Sequence, residues 1–166
     1  MIHNVIKALE DQVQNPKIGL PEEVFLLVGR LTPFVNVDLL IEDPERGVLL
    51  TWRDDQYTGK GWHFPGGIIR YKETASERAK MVAALELGIE VRVSEKILAV
   101  NEIIAEDQIE RAHFISLLFR CDLCDEARAL SQKVDWQAKH HARFFDKKPD
   151  ELLSWHEIYS WIFDNR

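Results

Sequence analysis

Hydrophobic residues in the first part of the chain recur at the spacing of an amphipathic helix. The apolar positions are Ile2, Val5, Ile6, Leu9 and Val13. They predict a helix over residues 2–14, and the connector NPKIGLP follows it. Pro21 is suited to open a second helix, which Pro33 ends. We expect residues 1–20 to form an N-terminal helix and connector, and residues 21–166 to form the main part of a single domain.

Segments of β-rich composition alternate with polar turns in the rest of the chain. The predicted strands or extended segments are FVNVDLLIE, VLLTWR, WHFPGG, KILAVNEII, HFISLLFRCDL and HARFFD. EDPERG is a predicted turn, DDQYTGKG is a predicted loop, and PDELLSWHEIYSWIF predicts a closing amphipathic helix. Strands mixed with a few helices, without a regular strand–helix–strand series, indicate an α+β or mixed α/β sandwich.

The stretch PGGIIRYKETASERAKMVAALELGI contains a helix whose two ends are marked in the sequence. Thr74 and Glu77 form a capping box at its start, and Gly88 suits the left-handed residue that ends a helix. At 3.6 residues per turn, one helix face carries Ala75, Ala79, Val82 and Glu86. The acid lies on an apolar face, and also in the turn where the helix dipole disfavours negative charge. Glu86 thus conflicts with the burial of apolar residues and with the helix dipole, and such conflicts are typical of a functional site.

Glu86 has two structural interpretations and one functional interpretation. Its carboxylate could pair with a nearby arginine, or lie at the edge of the apolar face and reach solvent. The functional interpretation is a divalent cation, because proteins bind Mg²⁺ with one or two carboxylates together with backbone and phosphate oxygens. Gly66 and Gly67 support a metal, since glycines let the backbone turn tightly and present a carbonyl to a ligand.

Composition and charge narrow the range of partners. The chain has 166 residues, of which 46% are apolar and 30% charged, as in an ordinary globular domain. A net charge of −7 and a pI near 5.4 argue against a nucleic-acid polymer, but a small anionic ligand screened by a metal or basic residues is compatible with them. No apolar run reaches the roughly 18–20 residues of a membrane span, and the N-terminus has no signal-peptide pattern. We therefore expect a cytoplasmic protein with no membrane partner.

The two cysteines, Cys121 and Cys124, lie in the motif CDLC. A CxxC motif is compatible with redox chemistry or with half of a zinc site. A second cysteine pair is absent from the sequence, and the motif follows the apolar run HFISLLFR. We therefore interpret CDLC as a strand end and turn.

The spacing of glycines and acids around Glu86 resembles the Nudix box, G-x5-E-x7-R-E-U-x-E-E-x-G-U, in which U is aliphatic. The matching residues are Gly67, Glu73, Glu86, Gly88 and Ile89. The pattern would place Arg, Glu and Glu at the positions of Met81, Val82 and Leu85. In the family those glutamates hold metals and activate water for attack on phosphorus. Because they are absent from this chain, the resemblance is to a reduced box.

One subgroup with a reduced box, the GDP-mannose mannosyl hydrolases, is similar to this chain over residues 24–152. VFLLVGRLTPFVNVDLLIE and the W-x-F-P-G-G motif carry the similarity. It implies a Nudix-like α/β/α sandwich with a mixed β-sheet and an N-terminal helical extension. It also implies a single Mg²⁺ held by Glu86 and the carbonyl of Gly67.

The same resemblance implies which side chains bind the substrate. Arg53 would contact the diphosphate and Asp38 the sugar or nucleotide, both within the catalytic site. Ile68 stands where the subgroup has a phosphate-binding arginine, and Arg70 is its expected substitute. The structural alternatives are a solvated strand end for Arg53 and a structural hydrogen bond for Asp38. Tyr57 is a candidate for stacking on a purine base.

A neutral base is needed to deprotonate the attacking water, and a histidine before the last strand is the expected group. KHHARFF offers His140 and His141 as the two principal candidates. His113 and His63 are secondary candidates for the base, since each fits a structural or nucleotide-facing role better.

The leading hypothesis is a Mg²⁺-dependent hydrolase of a nucleoside-diphosphate sugar, of the GDP-mannose or GDP-glucose type. Water would attack the anomeric carbon and release free sugar and nucleoside diphosphate. One metal suffices if negative charge develops on the leaving group.

Two alternatives remain open. One is a conventional pyrophosphohydrolase that attacks phosphorus, with relocated acids at Glu102, Glu106 and Asp107. The other is a Nudix-like domain that binds a nucleotide without turnover. We also expect a homodimer formed through the N-terminal helix, although packing of that helix on its own sheet would fit the same pattern.

Overall fold

A computed structural model describes residues 1–57, 59–106, 108–124 and 142–164. Within these ranges the chain forms eight strands. They are β1 Phe34–Asp43, β2 Gly47–Asp55, β3 Gly59–His63, β4 Gly66–Ile68, β5 Val91–Val93, β6 Ala99–Ile104, β7 His113–Leu123 and β8 Ala142–Phe145. All six predicted β-rich segments contain a strand, and β5 was not predicted. β2 extends into the predicted loop DDQYTGKG, which shortens that loop.

The strands form one mixed sheet in the order β3-β2-β1-β7-β5. β1 and β7 run parallel over eight residue pairs, and the other pairings are antiparallel. β4 also pairs with β1, β6 with β7, and β8 with β2. The predicted α+β class with a mixed sheet is confirmed.

The helices are α1 Ile2–Glu10, α2 Glu22–Leu31, α3 Ala75–Val82 and α4 Trp161–Asp164. α1 is four residues shorter than predicted, because the N–H groups of Gln12 and Val13 bond to carbonyls three residues back and tighten the chain out of the α-helix. The predicted closing helix is a 3₁₀ helix, Ser154–Tyr159, followed by the single turn of α4. None of the described helices is long and apolar enough to cross a bilayer.

Two apolar layers cover the two faces of the sheet, as expected for an α/β/α sandwich. Side chains alternate along β1, so Val37, Leu39 and Ile41 pack under α3. Leu40 and Phe64 face the other way and pack against the C-terminal segment, including Tyr159, Ile162 and Phe163. Asp38 has the parity of Leu40, so it too faces the C-terminal segment.

The C-terminal segment is attached to the edge of β3 before it becomes helical. The Trp62 N–H donates to the Glu151 carbonyl at 2.8 Å, and the Leu153 N–H donates to the Trp62 carbonyl at 2.9 Å. This attachment brings Trp155 and His156 next to the sheet centre.

The motif CDLC lies at the end of β7, which ends at Leu123, so its interpretation as a strand end is confirmed. Cys121 is buried, and burial raises the pKa of its thiol to about 12. A thiol with so high a pKa carries almost no thiolate at neutral pH, which argues against redox reactivity.

Candidate active site

The helix that carries Glu86 begins as predicted and changes its winding before it ends. Thr74 Oγ accepts the Glu77 N–H at 3.2 Å, and Glu77 Oε2 accepts the Thr74 N–H at 2.8 Å, which completes the capping box. Gly88 ends the segment at φ +65°, in the left-handed region. Between them, Ala83–Leu87 is a π-helical turn, a feature that local periodicity does not show and that is frequent at functional sites.

The π turn places Glu86 at the edge of the buried helix face rather than in its middle. Ala79, Val82, Ala83 and Leu87 are buried against the sheet, whereas Glu86 is half-buried. The Gly66 N–H faces this carboxylate and acts to lower its pKa, and within the described ranges no cationic side chain lies within 4 Å of it.

Burial is the main cause that raises the pKa of Glu86 to about 7. The positive charge of Arg53 acts in the opposite direction, and the negative charge of Asp38 adds to the rise. Glu86 has no ion-pair partner among the described residues, so the first structural interpretation does not apply there. Its half-buried place at the edge of the helix face agrees with the second structural interpretation and is also compatible with a bound metal ion.

The double glycine serves close packing rather than a tight turn. Gly66 and Gly67 lie in the extended strand β4. A Cβ atom on Gly66 would lie 2.4 Å from Asp38 Oδ1, and one on Gly67 would lie 2.9 Å from Val82 Cγ2. Both faces of β4 are therefore filled, one by the Asp38 carboxylate and the other by α3.

The hydrogen-bond ladder between β1 and β4 decides which glycine carbonyl is available to a ligand. Facing residues of antiparallel strands alternate between hydrogen-bonded and non-bonded pairs. The bonded contacts on either side of the glycines are Leu39 N–H to the Pro65 carbonyl and Ile69 N–H to the Val35 carbonyl, each at 2.9 Å. The pair Val37 and Gly67 lies midway between these contacts, so it is also a hydrogen-bonded pair. The Gly67 carbonyl therefore faces Val37 of β1 and is not available to a ligand.

Gly66 faces Asp38 in the non-bonded phase of the same ladder. Its N–H and C=O therefore point away from β1, toward the side on which Glu86 lies. This geometry corrects the expected Gly67 carbonyl, because the carbonyl on the Glu86 side is that of Gly66. A desolvated carboxylate without a cationic partner in the described ranges, next to a carbonyl oxygen that β1 does not use, fits a divalent metal ion.

Asp38 is 1% exposed and is surrounded by hydrogen-bond donors. Asn36 Nδ2 donates to Oδ1 at 2.9 Å, Tyr159 OH donates to Oδ2 at 2.8 Å, and Ser116 Oγ also donates to Oδ2. The carboxylate therefore has a structural role, and Oδ1 keeps acceptor capacity on the side of Gly66. The pKa of Tyr159 is raised by burial and by the charge of Asp38, so its hydroxyl stays a donor.

Two adjoining spaces share the backbone of Gly66–Ile68. The inner cavity, of about 130 Å³, is lined by Asn36, Asp38, Arg53, Arg111, Trp155 and His156, among others. The outer groove, of about 460 Å³, lies on the α3 side and includes Phe25, Arg70, Tyr71, Arg78, Leu85 and Glu86. Small-molecule sites usually occupy about 300–1,000 Å³, so the outer groove is large enough for a ligand by itself, and the inner cavity adjoins it.

Of the predicted site residues, Asp38 and Arg53 line the inner cavity, and Arg70 and Glu86 line the outer groove. Tyr57 lies outside the lining of both spaces, because its hydroxyl donates to Glu22 Oε1 on α2 at 2.7 Å. Among the described residues proposed as relocated acids, Glu102 and Glu106 line neither space, and Asp107 lies outside the described residues.

The principal base candidates, His140 and His141, lie outside the described residues. Of the secondary candidates, His113 pairs with Glu102 at 3.0 Å and lines neither space. His63 lines the inner cavity, and its Nδ1–H donates to the Thr51 carbonyl at 2.8 Å, which leaves Nε2 without a proton in the neutral ring. Burial lowers the pKa of His63 well below its usual range.

His156 is a site residue that the sequence reasoning did not single out. The Phe64 N–H donates to its Nδ1 at 2.9 Å, so the proton of the neutral ring lies on Nε2. Burial lowers the pKa of His156 as well, which keeps the ring neutral at pH 7. A ring in this tautomer can donate a hydrogen bond into the inner cavity but cannot accept a proton from water at Nε2.

Arg78 and Arg111 were also missed. Arg78 forms an ion pair with Glu73 at 2.8 Å, one turn before the position where the box pattern has arginine and this chain has Met81. Arg111 enters the inner cavity from the loop between β6 and β7. An irregular loop gives no periodic signal, so no sequence pattern could have identified Arg111.

A family model for the NUDIX domain matches residues 32–158, which includes the whole sheet and the C-terminal 3₁₀ segment up to residue 158. This chain belongs to the Nudix family. Membership places it among the Nudix hydrolases, a family that acts on small nucleotide substrates. The matched range begins after α2, so α1 and α2 lie outside it.

Comparisons with known proteins agree with the family and the fold. The "low-salt glycan biosynthesis protein Agl8" of Haloferax volcanii is 27% identical over 119 residues, which cover 70% of this chain and 76% of that protein. The MutT protein of Methanosarcina mazei Go1 has a similar structure, with a TM-score of 0.60 at 17% identity over 81% of this chain and 95% of that one. A NUDIX hydrolase of Nitrosomonas europaea gives a TM-score of 0.60 at 20% identity over 81% of this chain and 72% of that one.

Proposed function

We propose that this Nudix-family chain is a Mg²⁺-dependent hydrolase of nucleoside-diphosphate sugars, of the GDP-mannose or GDP-glucose type. Water attacks the anomeric carbon, and free sugar and nucleoside diphosphate leave. The observation that supports this reaction best is the number of carboxylates at the site. Among the described lining residues, Glu86 and Asp38 are the carboxylates of the two spaces, and Asp38 is engaged by three donors.

One available carboxylate fits one metal ion rather than the several that the full Nudix box holds. Glu86 and the Gly66 carbonyl would bind the ion, which supplies positive charge to the diphosphate. Arg53 lines the inner cavity and Arg70 lines the outer groove, and this supports our proposal that both contact phosphate oxygens. One metal ion and two arginines would stabilise negative charge on a leaving diphosphate. A single available carboxylate does not fit the several metal ions that would activate a water nucleophile.

The inner cavity offers polar side chains that could bind the hydroxyl groups of the sugar. Asp38 offers an acceptor at Oδ1, and His156 offers a donor at Nε2. Either His140 or His141 remains our proposed base. The Haloferax relative is named for glycan biosynthesis, a process built on activated sugars, and this supports a sugar nucleotide as the substrate class.

Product analysis tests the reaction directly. We expect incubation with Mg²⁺ and a panel of GDP-, UDP- and ADP-sugars to release free sugar and the nucleoside diphosphate from at least one member. Chromatography with phosphate detection identifies the products. Sugar phosphate with nucleoside monophosphate would instead establish attack on phosphorus, and binding without products would establish a non-catalytic domain.

We also propose a homodimer formed through α1. α1 has no buried residue, and Ile2, Val5 and Ile6 are 72%, 52% and 48% exposed, so the helix does not bury its apolar face on its own sheet. We expect the double substitution Val5→Asp and Ile6→Asp to convert a dimer into a monomer. Light scattering after gel filtration measures this, and a wild-type monomer at micromolar concentration would disprove it.

A further inference from the structure

Arg111 is held in an uncommon backbone conformation. Its φ is +55°, in the left-handed region that side-chain-bearing residues rarely adopt. Such a conformation is strained and persists only where the surroundings determine it, most often at ligand sites. The loop before β7 therefore fixes the direction in which this arginine leaves the backbone.

Aromatic rings fix the guanidinium itself. Its central carbon lies 5.2 Å from the ring centroid of Tyr57 and 5.9 Å from that of Phe25. Tyr57 is anchored in turn by its hydrogen bond to Glu22. Cation–π contacts hold the charged group without using its N–H donors, which remain available for an anion.

One donor of Arg111, its Nε–H, has no partner in the described part of the protein. Nε is buried without a hydrogen-bond partner, and no described carboxylate lies within 4 Å of the guanidinium. Arg53 lines the same inner cavity, and its ion pair with Asp55 is long, at 3.7 Å. Burial and the charge of Arg53 lower the pKa of Arg111, and the charge of Asp55 acts in the opposite direction.

Two neighbouring cations, of which Arg111 has an open donor, are stable together when an anion lies between them. We propose that Arg53 and Arg111 form a two-arginine clamp that binds consecutive phosphate groups of the substrate. The identity of the anion as a nucleoside diphosphate rests on the proposed function. The charge of Arg53 affects the pKa of both Glu86 and Arg111, so Arg53 lies between the proposed metal ligand and the second arginine of the clamp.

The clamp predicts a preference for nucleoside diphosphates over monophosphates that depends on Arg111. We expect Arg111→Gln to weaken the binding of ADP, GDP or UDP about tenfold to hundredfold, as expected for the loss of a charge-assisted contact. Binding of the matching monophosphate should change by less than about threefold. Calorimetry with and without Mg²⁺ gives the ratio of the two dissociation constants for each base.

Arg92→Gln is the matched control, because Arg92 is an exposed arginine on β5 and lines neither space. It should leave the ratio unchanged. The effect of Arg111→Gln should persist in EDTA, since the clamp acts on phosphate directly. Equal weakening of diphosphate and monophosphate, disappearance of the effect in EDTA, or failure of the wild type to bind any diphosphate would each overturn the clamp.

If Arg111→Gln does not fold, Arg111→Lys is measured in the same way. Lysine keeps the charge but loses the planar fork, so the diphosphate preference should fall by about threefold or more. An unchanged preference would overturn the clamp. The binding measurements need no turnover, so a protein that prefers diphosphates through Arg111 but releases no sugar would retain the clamp and refute the proposed hydrolysis.

Discussion

Glu86→Gln is expected to reduce Mg²⁺-dependent turnover at least about 100-fold, because a metal ion contributes several kcal/mol of charge stabilisation in such reactions. Glutamine keeps the size of the side chain and one oxygen, but it lacks the negative charge that holds the ion. The initial rate of product release as a function of Mg²⁺ concentration measures the loss.

The same substitution should have an opposite effect on the metal-free protein. The pKa of Glu86 is raised by burial from 4.5 to about 7, so folding stability is highest where the carboxyl group is protonated in both states. Stability falls as the pH rises from about 4.5 through 7, and it stays low above that range. This raised pKa corresponds to about 3 kcal/mol at most. Glu86→Gln removes this penalty, so the variant should be more stable than the wild type at pH 8 and equal to it at pH 4.

Thermal unfolding with and without Mg²⁺ separates the two effects. At pH 8 in EDTA the variant should melt above the wild type, and added Mg²⁺ should raise the melting temperature of the wild type alone. Glu90→Gln is the control, since Glu90 is an exposed acid just after the same helix segment. A Mg²⁺ response that survives in Glu86→Gln would remove Glu86 from the metal site.

Local rules predicted the features that neighbouring residues determine. The capping box at Thr74, the left-handed Gly88 and the β-rich segments depend on contacts within a few residues. Glu86 was singled out as a functional candidate from two broken rules, because an acid on an apolar helix face and in the last helical turn is informative in itself. These features required no knowledge of the tertiary fold.

The rest of the site depends on contacts between distant parts of the chain. Tyr159 reaches Asp38 across 121 positions, and Arg111 enters the cavity from a loop without periodicity. The choice between Gly66 and Gly67 depends on the phase of the β1–β4 ladder, and a one-residue change in register would reverse it. Sequence patterns report which face a residue occupies, but they do not report which strand lies opposite.

Asp38→Ala is expected to destabilise the protein by about 3 kcal/mol, because three donors lose the acceptor that they share and only the Ser116 and Tyr159 hydroxyl groups, 3.0 Å apart, can partly replace it for each other. Those donors are Asn36 Nδ2, Ser116 Oγ and Tyr159 OH, and Ser116 and Tyr159 are fully buried. Urea unfolding monitored by tryptophan fluorescence measures the change. Asp54→Ala is the control, since Asp54 is exposed and pairs only with exposed Lys60 among described residues, so its loss should cost less than about 1 kcal/mol.

A double substitution identifies the cause. Tyr159→Phe removes one of the stranded hydroxyl groups, so it should cost less in the Asp38→Ala background than in the wild type. If Asp38 were only a substrate contact, its replacement would leave the unfolding free energy unchanged and reduce binding alone. Additive costs of the two substitutions would show that the hydroxyl and the carboxylate are not coupled. A less than additive result would show that Asp38 holds the C-terminal segment against the sheet through Tyr159, so loss of activity in Asp38 variants has to be measured on folded protein.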